Sequence, residues 1–137
     1  MVRSGALDGD GFDDIVMGYG NGSNSFIKVF YGSANPVDTN TSAITDIITF
    51  PVATGSIMPY ITLGNFSSTS HKDILALIKT ASGAGNSTAY VIYGKKPLSL
   101  LTAEDDTTLA TTVGFKINTS TGRLLAVYGA GDLNNDG

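Results

Sequence analysis

The sequence predicts an all-β chain built from a repeated unit of about four short strands, and three observations lead there. Runs rich in β-branched and aromatic residues recur along the whole chain, each bounded by Gly, Asn or Pro. Seventeen glycines in 137 residues, with frequent Ser, Thr and Asn, supply the tight turns such strands need. Finally, one loop-and-strand pattern returns after 59 residues, from Gly5 to Gly64.

Taken in order, the strand signals fall at Asp14–Gly18, Phe26–Tyr31, Ile47–Val52, Ile57–Leu63, Asp73–Lys79, Ala89–Tyr93, Phe115–Ile117 and Leu124–Tyr128. Nothing between them has convincing helical periodicity. The nearest stretch, Leu98–Leu109, follows Pro97 and carries Glu104-Asp105-Asp106. Its Thr pairs and missing C-terminal cap favour a single turn or an irregular loop.

The repeat is specific in register. Gly5-Ala-Leu-Asp-Gly-Asp-Gly-Phe-Asp-Asp-Ile-Val-Met-Gly18 lies over Gly64-Asn-Phe-Ser-Ser-Thr-Ser-His-Lys-Asp-Ile-Leu-Ala-Leu77. Downstream, Lys28-Val-Phe-Tyr-Gly32 matches Tyr90-Val-Ile-Tyr-Gly94, and a third copy opens at Gly131-Asp-Leu-Asn-Asn-Asp-Gly137. A period of about 60 residues with about four strands per unit is the pattern of β-propeller blades.

Composition narrows the function. Charged residues are 15% and hydrophobic ones 42%, which fits a globular chain. A net charge of −4, with Lys95-Lys96 the only basic run, gives no electrostatic reason to expect nucleic acid. No apolar run approaches the roughly 18 residues of a spanning helix, so membrane insertion is not expected. The absence of cysteine excludes disulfides, thiolate metal sites and cysteine nucleophiles. The single histidine, His71, has no Ser or Asp pattern around it, and no nucleophile elbow or phosphate loop occurs, so no enzyme is expected. The acidic pairs Asp13-Asp14 and Asp105-Asp106 read as part of a loop frame and as a solvated turn.

Asp132-x-Asn134-x-Asp136-Gly137 sets oxygen-bearing side chains at alternate positions before a glycine. Alternation in a tight loop points them at one centre, and hard oxygens suit Ca²⁺, which takes about 6–8 of them in flexible geometry. Mg²⁺ prefers to keep several waters. On the same frame the first copy offers Asp8, Asp10, Phe12 through its carbonyl, and Asp14, with Ala6 where the first ligand belongs. An EF-hand would need an acidic residue at its twelfth position, which is Met17 in a strand-like run. The middle copy, from Asn65 to Asp73, keeps only its last carboxylate and is expected to be an empty loop closed by side-chain hydrogen bonds. The opposing reading is that Asp-Gly and Asn-Asp-Gly are simply polar turns that bind nothing.

These residues resemble the FG-GAP repeat of integrin α-subunit propellers and bacterial surface proteins. Val91-Ile-Tyr-Gly-Lys95, Val113-Gly-Phe-Lys116 and Ala130–Gly137 are similar to its bacterial version. The resemblance is strong at both ends and weak over residues 33–63. It implies a loop joining the first two strands of a blade, binding Ca²⁺ on the propeller's lower face through Asp8, Asp10, Phe12, Asp14, Asp132, Asn134 and Asp136. Ala6 and the whole middle loop depart from it. Its layout divides the chain into a first blade lacking its strand 1 (1–56), a second, degenerate blade (57–122), and the first strand and calcium loop of a third repeat (123–137).

The function this implies is a non-catalytic extracellular or cell-surface recognition and adhesion module, with Ca²⁺ as a structural staple and a protein or glycan as ligand. A carbohydrate-binding propeller is the alternative, although the chain has no Trp to stack on sugars. An accessory domain of a secreted enzyme is a further one. Five Asn-x-Ser/Thr sequons, starting at Asn21, Asn40, Asn65, Asn86 and Asn118, agree with exposure outside a eukaryotic cell. Two blades leave sheet edges open. The ring would be completed by the rest of a longer propeller, or by head-to-tail copies in which Leu124–Tyr128 of one completes the first blade of the next.

Overall fold

The structure, a computed structural model, describes residues 1–21, 24–36, 47–51, 58–67, 70–78, 87–94, 113–118 and 126–128. The helix candidate at Leu98–Leu109 and the final loop lie outside them. Among the described residues every regular element is a strand, and no helix is long and apolar enough to cross a membrane.

Among the described residues, eight strands form two four-stranded antiparallel sheets. The first contains β1 (Val2–Gly5), β2 (Asp14–Gly20), β3 (Asn24–Phe30) and β4 (Ile47–Pro51), in that order. The second contains β5 (Tyr60–Gly64), β6 (Asp73–Ile78), β7 (Thr88–Ile92) and β8 (Gly114–Asn118). Each strand pairs with its neighbour in sequence, so both sheets are simple meanders. The fold class is all-β, as expected.

Two strands depart from expectation: residues 126–128, the described part of the expected strand Leu124–Tyr128, lie in no strand, and the first sheet has an edge strand that was not expected. The first unit does not lack its edge: Val2–Gly5 pairs with β2, from Val2 opposite Met17 to Gly5 opposite Asp14. The Met1 amino group and carbonyl extend the ladder through Gly18. Val2-Arg-Ser-Gly carries a single β-branched residue, so its own propensity is weak and pairing with β2 decides its conformation. Leu124–Tyr128 of another copy is therefore not needed to complete this sheet.

Alternation sorts each sheet into two faces. In the first sheet Val16, Ile27, Val29, Ile48 and Phe50 share one face and are buried. They pack with Ile61, Ile74, Ala76, Ile78 and Ile92 from one face of the second sheet, and with Leu7, in a continuous core. Phe50 meets Tyr90 across this junction with ring centroids 4.8 Å apart. Gly18 allows the close approach, because a Cβ there would lie 2.6 Å from Ile61 Cδ1 and 2.8 Å from Pro59 Cγ. Fully burying an aliphatic side chain is worth about 1.5–3 kcal/mol, so this junction is a principal source of stability. On the far face of the second sheet, Leu75, Leu77, Ala89 and Val91 form a second cluster, with Val127 against it.

Candidate metal centre

The loops that join β1 to β2 and β5 to β6 have equal length, residues 6–13 and 65–72. They lie side by side at one end of the two sheets. The Lys72 N–H donates to the Ala6 carbonyl at 2.7 Å, and the His71 ring packs against Gly9. Leu7 fixes the first loop from below, since its side chain is fully buried in the core between the sheets.

Each loop is closed by the aspartate that opens the following strand. Asp14 and Asp73 are both fully buried. Asp14 accepts from the Leu7 N–H at 2.6 Å on Oδ2 and from the Gly32 N–H at 2.9 Å on Oδ1. Asp73 accepts from the Phe66 and Ser67 N–H groups at 2.7 and 2.6 Å on Oδ2. Its Oδ1 takes the Ser67 hydroxyl at 3.0 Å and the Gly94 N–H at 2.8 Å. The two carboxylates thus tie the start of the loop to the end of the third strand in the same way in each sheet. A buried carboxylate is tolerable on these terms, because charge-assisted bonds to backbone donors replace its lost water. The middle loop is closed by side-chain hydrogen bonds, as expected, with Ser67 turned into Asp73.

The first loop differs in what it presents to solvent. Gly9 and Gly11 adopt φ of 78° and 93°, a left-handed conformation that costs other residues about 1–2 kcal/mol. Across these glycines, Asp8 Oδ1 accepts from the Asp10 N–H at 3.1 Å and Asp10 Oδ1 from the Phe12 N–H at 2.9 Å. These consecutive Asx turns coil the loop so that alternate residues face the same side. Carboxylate oxygens of Asp8, Asp10 and Asp14 converge to within 4.8 Å of one another. Oxygens bound to one Ca²⁺ at about 2.3–2.6 Å lie no more than about 5 Å apart, so separations of this size are compatible with a shared ion. The two N–H bonds to Asp14 leave lone pairs over, since a carboxylate offers about four acceptor sites.

Of the residues expected to bind metal, Asp8, Asp10 and Asp14 come together, and Phe12 occupies the same loop with its side chain partly exposed. Asp132, Asn134 and Asp136 lie outside the described residues. The sequence did not reveal the seating of His71 on Gly9, nor the Gly32 and Gly94 amides that the buried aspartates hold. The alignment of Gly32 with Gly94 in the repeat was the available signal for the latter.

Compared with known proteins, the chain matches no family model, no curated protein and no solved structure. The metal reading therefore rests on these residues and their geometry.

Proposed function

We propose that the chain is a pair of β-propeller blades of the FG-GAP type. In this reading it serves as a non-catalytic extracellular recognition or adhesion module, stapled by Ca²⁺ between β1 and β2. The observation that carries the calcium reading is the convergence of Asp8, Asp10 and Asp14 on a loop whose base is held by buried Leu7 and by the Gly32 amide. Asp8, Asp10 and Asp14 would hold the ion, with the Phe12 carbonyl and solvent oxygens completing its shell. Bound there, Ca²⁺ would neutralise carboxylates that otherwise repel one another, so its binding energy would stabilise the hairpin. Three carboxylates on a partly exposed loop suit weak affinity, on the order of 10⁻⁴–10⁻³ M, the range of extracellular calcium modules.

The blade reading draws on two successive meanders packed face to face and on a loop of equal length at the same place in each. The recognition role draws on the family resemblance alone, and the ligand class is a protein or glycan. Thermal melting tests the staple: the midpoint should rise in millimolar Ca²⁺ and fall back on adding chelator. Identical curves in both would overturn the calcium reading.

A further inference from the structure

The two outer faces of the molecule are the two halves of a junction it already contains. Inside, the Val16 face of the first sheet packs on the Ile74 face of the second. The 59-residue register places Ile15, Met17 and Tyr19 of β2 at the positions of Ile74, Ala76 and Ile78 of β6. The first sheet's outer face is therefore equivalent to the face through which the second sheet receives its neighbour. That face also carries Val2 and Phe26 and is apolar but open, with Val2 57% and Ile15 39% exposed. Tyr19 stacks on Phe26 at 4.9 Å, and Lys28 lies over the Tyr19 ring at 5.5 Å.

The converse holds at the other end. Leu75 and Leu77 stand where Val16 and Gly18 stand in β2, so the second sheet's outer face is equivalent to the one the first sheet offers. Phe115 and Ile117, opposite Val91 and Ala89, are 40% and 50% exposed on it. Val127 lies against part of this face, and exposed Tyr128 is its neighbour.

We infer that the second sheet of one copy docks on the open face of the first sheet of another, repeating the internal junction head to tail. The contact is heterologous, so successive copies close into a ring or extend as a filament, depending on the rotation between sheets. With two sheets per copy and rings of roughly four to eight sheets, closure would take about two to four chains. This arrangement needs no exchange of strands, because both sheets already have four. It rests on the sheet faces and not on calcium. A chain that assembles but ignores Ca²⁺ would keep this inference and lose the staple, and the reverse outcome would do the opposite.

Mass by light scattering on the 137-residue chain tests it, with Ile15→Glu blocking one face and Ile117→Glu the other. The wild type should form assemblies larger than its 14.2 kDa monomer. Each variant alone should be a monomer with wild-type circular dichroism. Mixed, the two should give a one-to-one pair of twice that mass, because each keeps the face the other lacks. A monomeric wild type at all accessible concentrations would overturn the inference and point to another sheet as occupant, as in a longer chain. A variant that still dimerises alone would also overturn it, because the contact would then join like faces. The wild-type measurement decides the matter if a variant fails to fold.

Discussion

Replacing Asp73 by Asn is the sharpest test of how the loops are held. The substitution keeps size and shape, so no cavity confuses the result. In the best orientation the new amide group faces the Ser67 hydroxyl, which can turn to accept, and the Gly94 N–H, which cannot. One donor is then left unpaired in a buried position, at about 1–3 kcal/mol. The bonds from Phe66 and Ser67, at 2.7 and 2.6 Å, persist but lose their ionic character. Bonds to charged groups are worth about 1.5–3 kcal/mol against 0.5–1.5 for neutral ones, so this adds about 1–2 kcal/mol. A total near 3 kcal/mol is a large part of the 5–15 kcal/mol typical of a domain. Urea unfolding followed by circular dichroism, at fixed protein concentration and in chelator, would read it. With a slope of about 1–3 kcal/mol/M, the midpoint should fall by roughly 1–3 M. Asp13→Asn, at the exposed neighbour of the equivalent aspartate, should stay within about 0.5 kcal/mol of wild type. If Asp73→Asn behaves like that control, the carboxylate is not the anchor described here.

Two further substitutions probe the neighbouring contacts. Gly9→Ala combines a left-handed backbone, costing about 1–2 kcal/mol, with a Cβ placed 2.7 Å from His71 Cδ2. In a His71→Ala background only the backbone part should remain, so a double-mutant cycle should show coupling, and strict additivity would mean the ring does not seat on Gly9. Gly18→Val should cost about 1–3 kcal/mol by forcing Pro59 and Ile61 away from the first sheet, whereas an unchanged melting midpoint would contradict the sheet junction.

Much of this fold was legible because pattern and period agree. The β2 and β6 runs announce themselves by branched residues and by the shared Asp that opens them. β1 was not legible, since Arg3, Ser4 and Gly5 have little strand preference and are recruited by β2. β5 starts at Tyr60, because Met58 and Pro59, inside the expected Ile57–Leu63 strand, lie outside it. β2 runs on to Gly20 because its pairing with β3 continues to Gly20 opposite Ser25. At the site, alternation of Asp8, Asp10 and Asp14 was visible in one dimension. The bond that Asp14 accepts from the Gly32 amide was not, because that amide lies 18 residues away and reaches it only through the β2–β3 pairing. The meeting of His71 with Gly9 depends on the packing of one sheet on the other, which a repeat alone does not specify.

Calorimetric titration of Ca²⁺ into wild type and into the Asp8→Asn, Asp10→Asn double variant decides whether the first loop holds the ion. Neither side chain is part of the core, so the variant should fold. The prediction is that wild type takes up Ca²⁺ with an affinity on the order of 10⁻⁴–10⁻³ M, and that the variant binds one ion fewer. Equal stoichiometry in the two proteins, or no uptake by the wild type, would contradict the account.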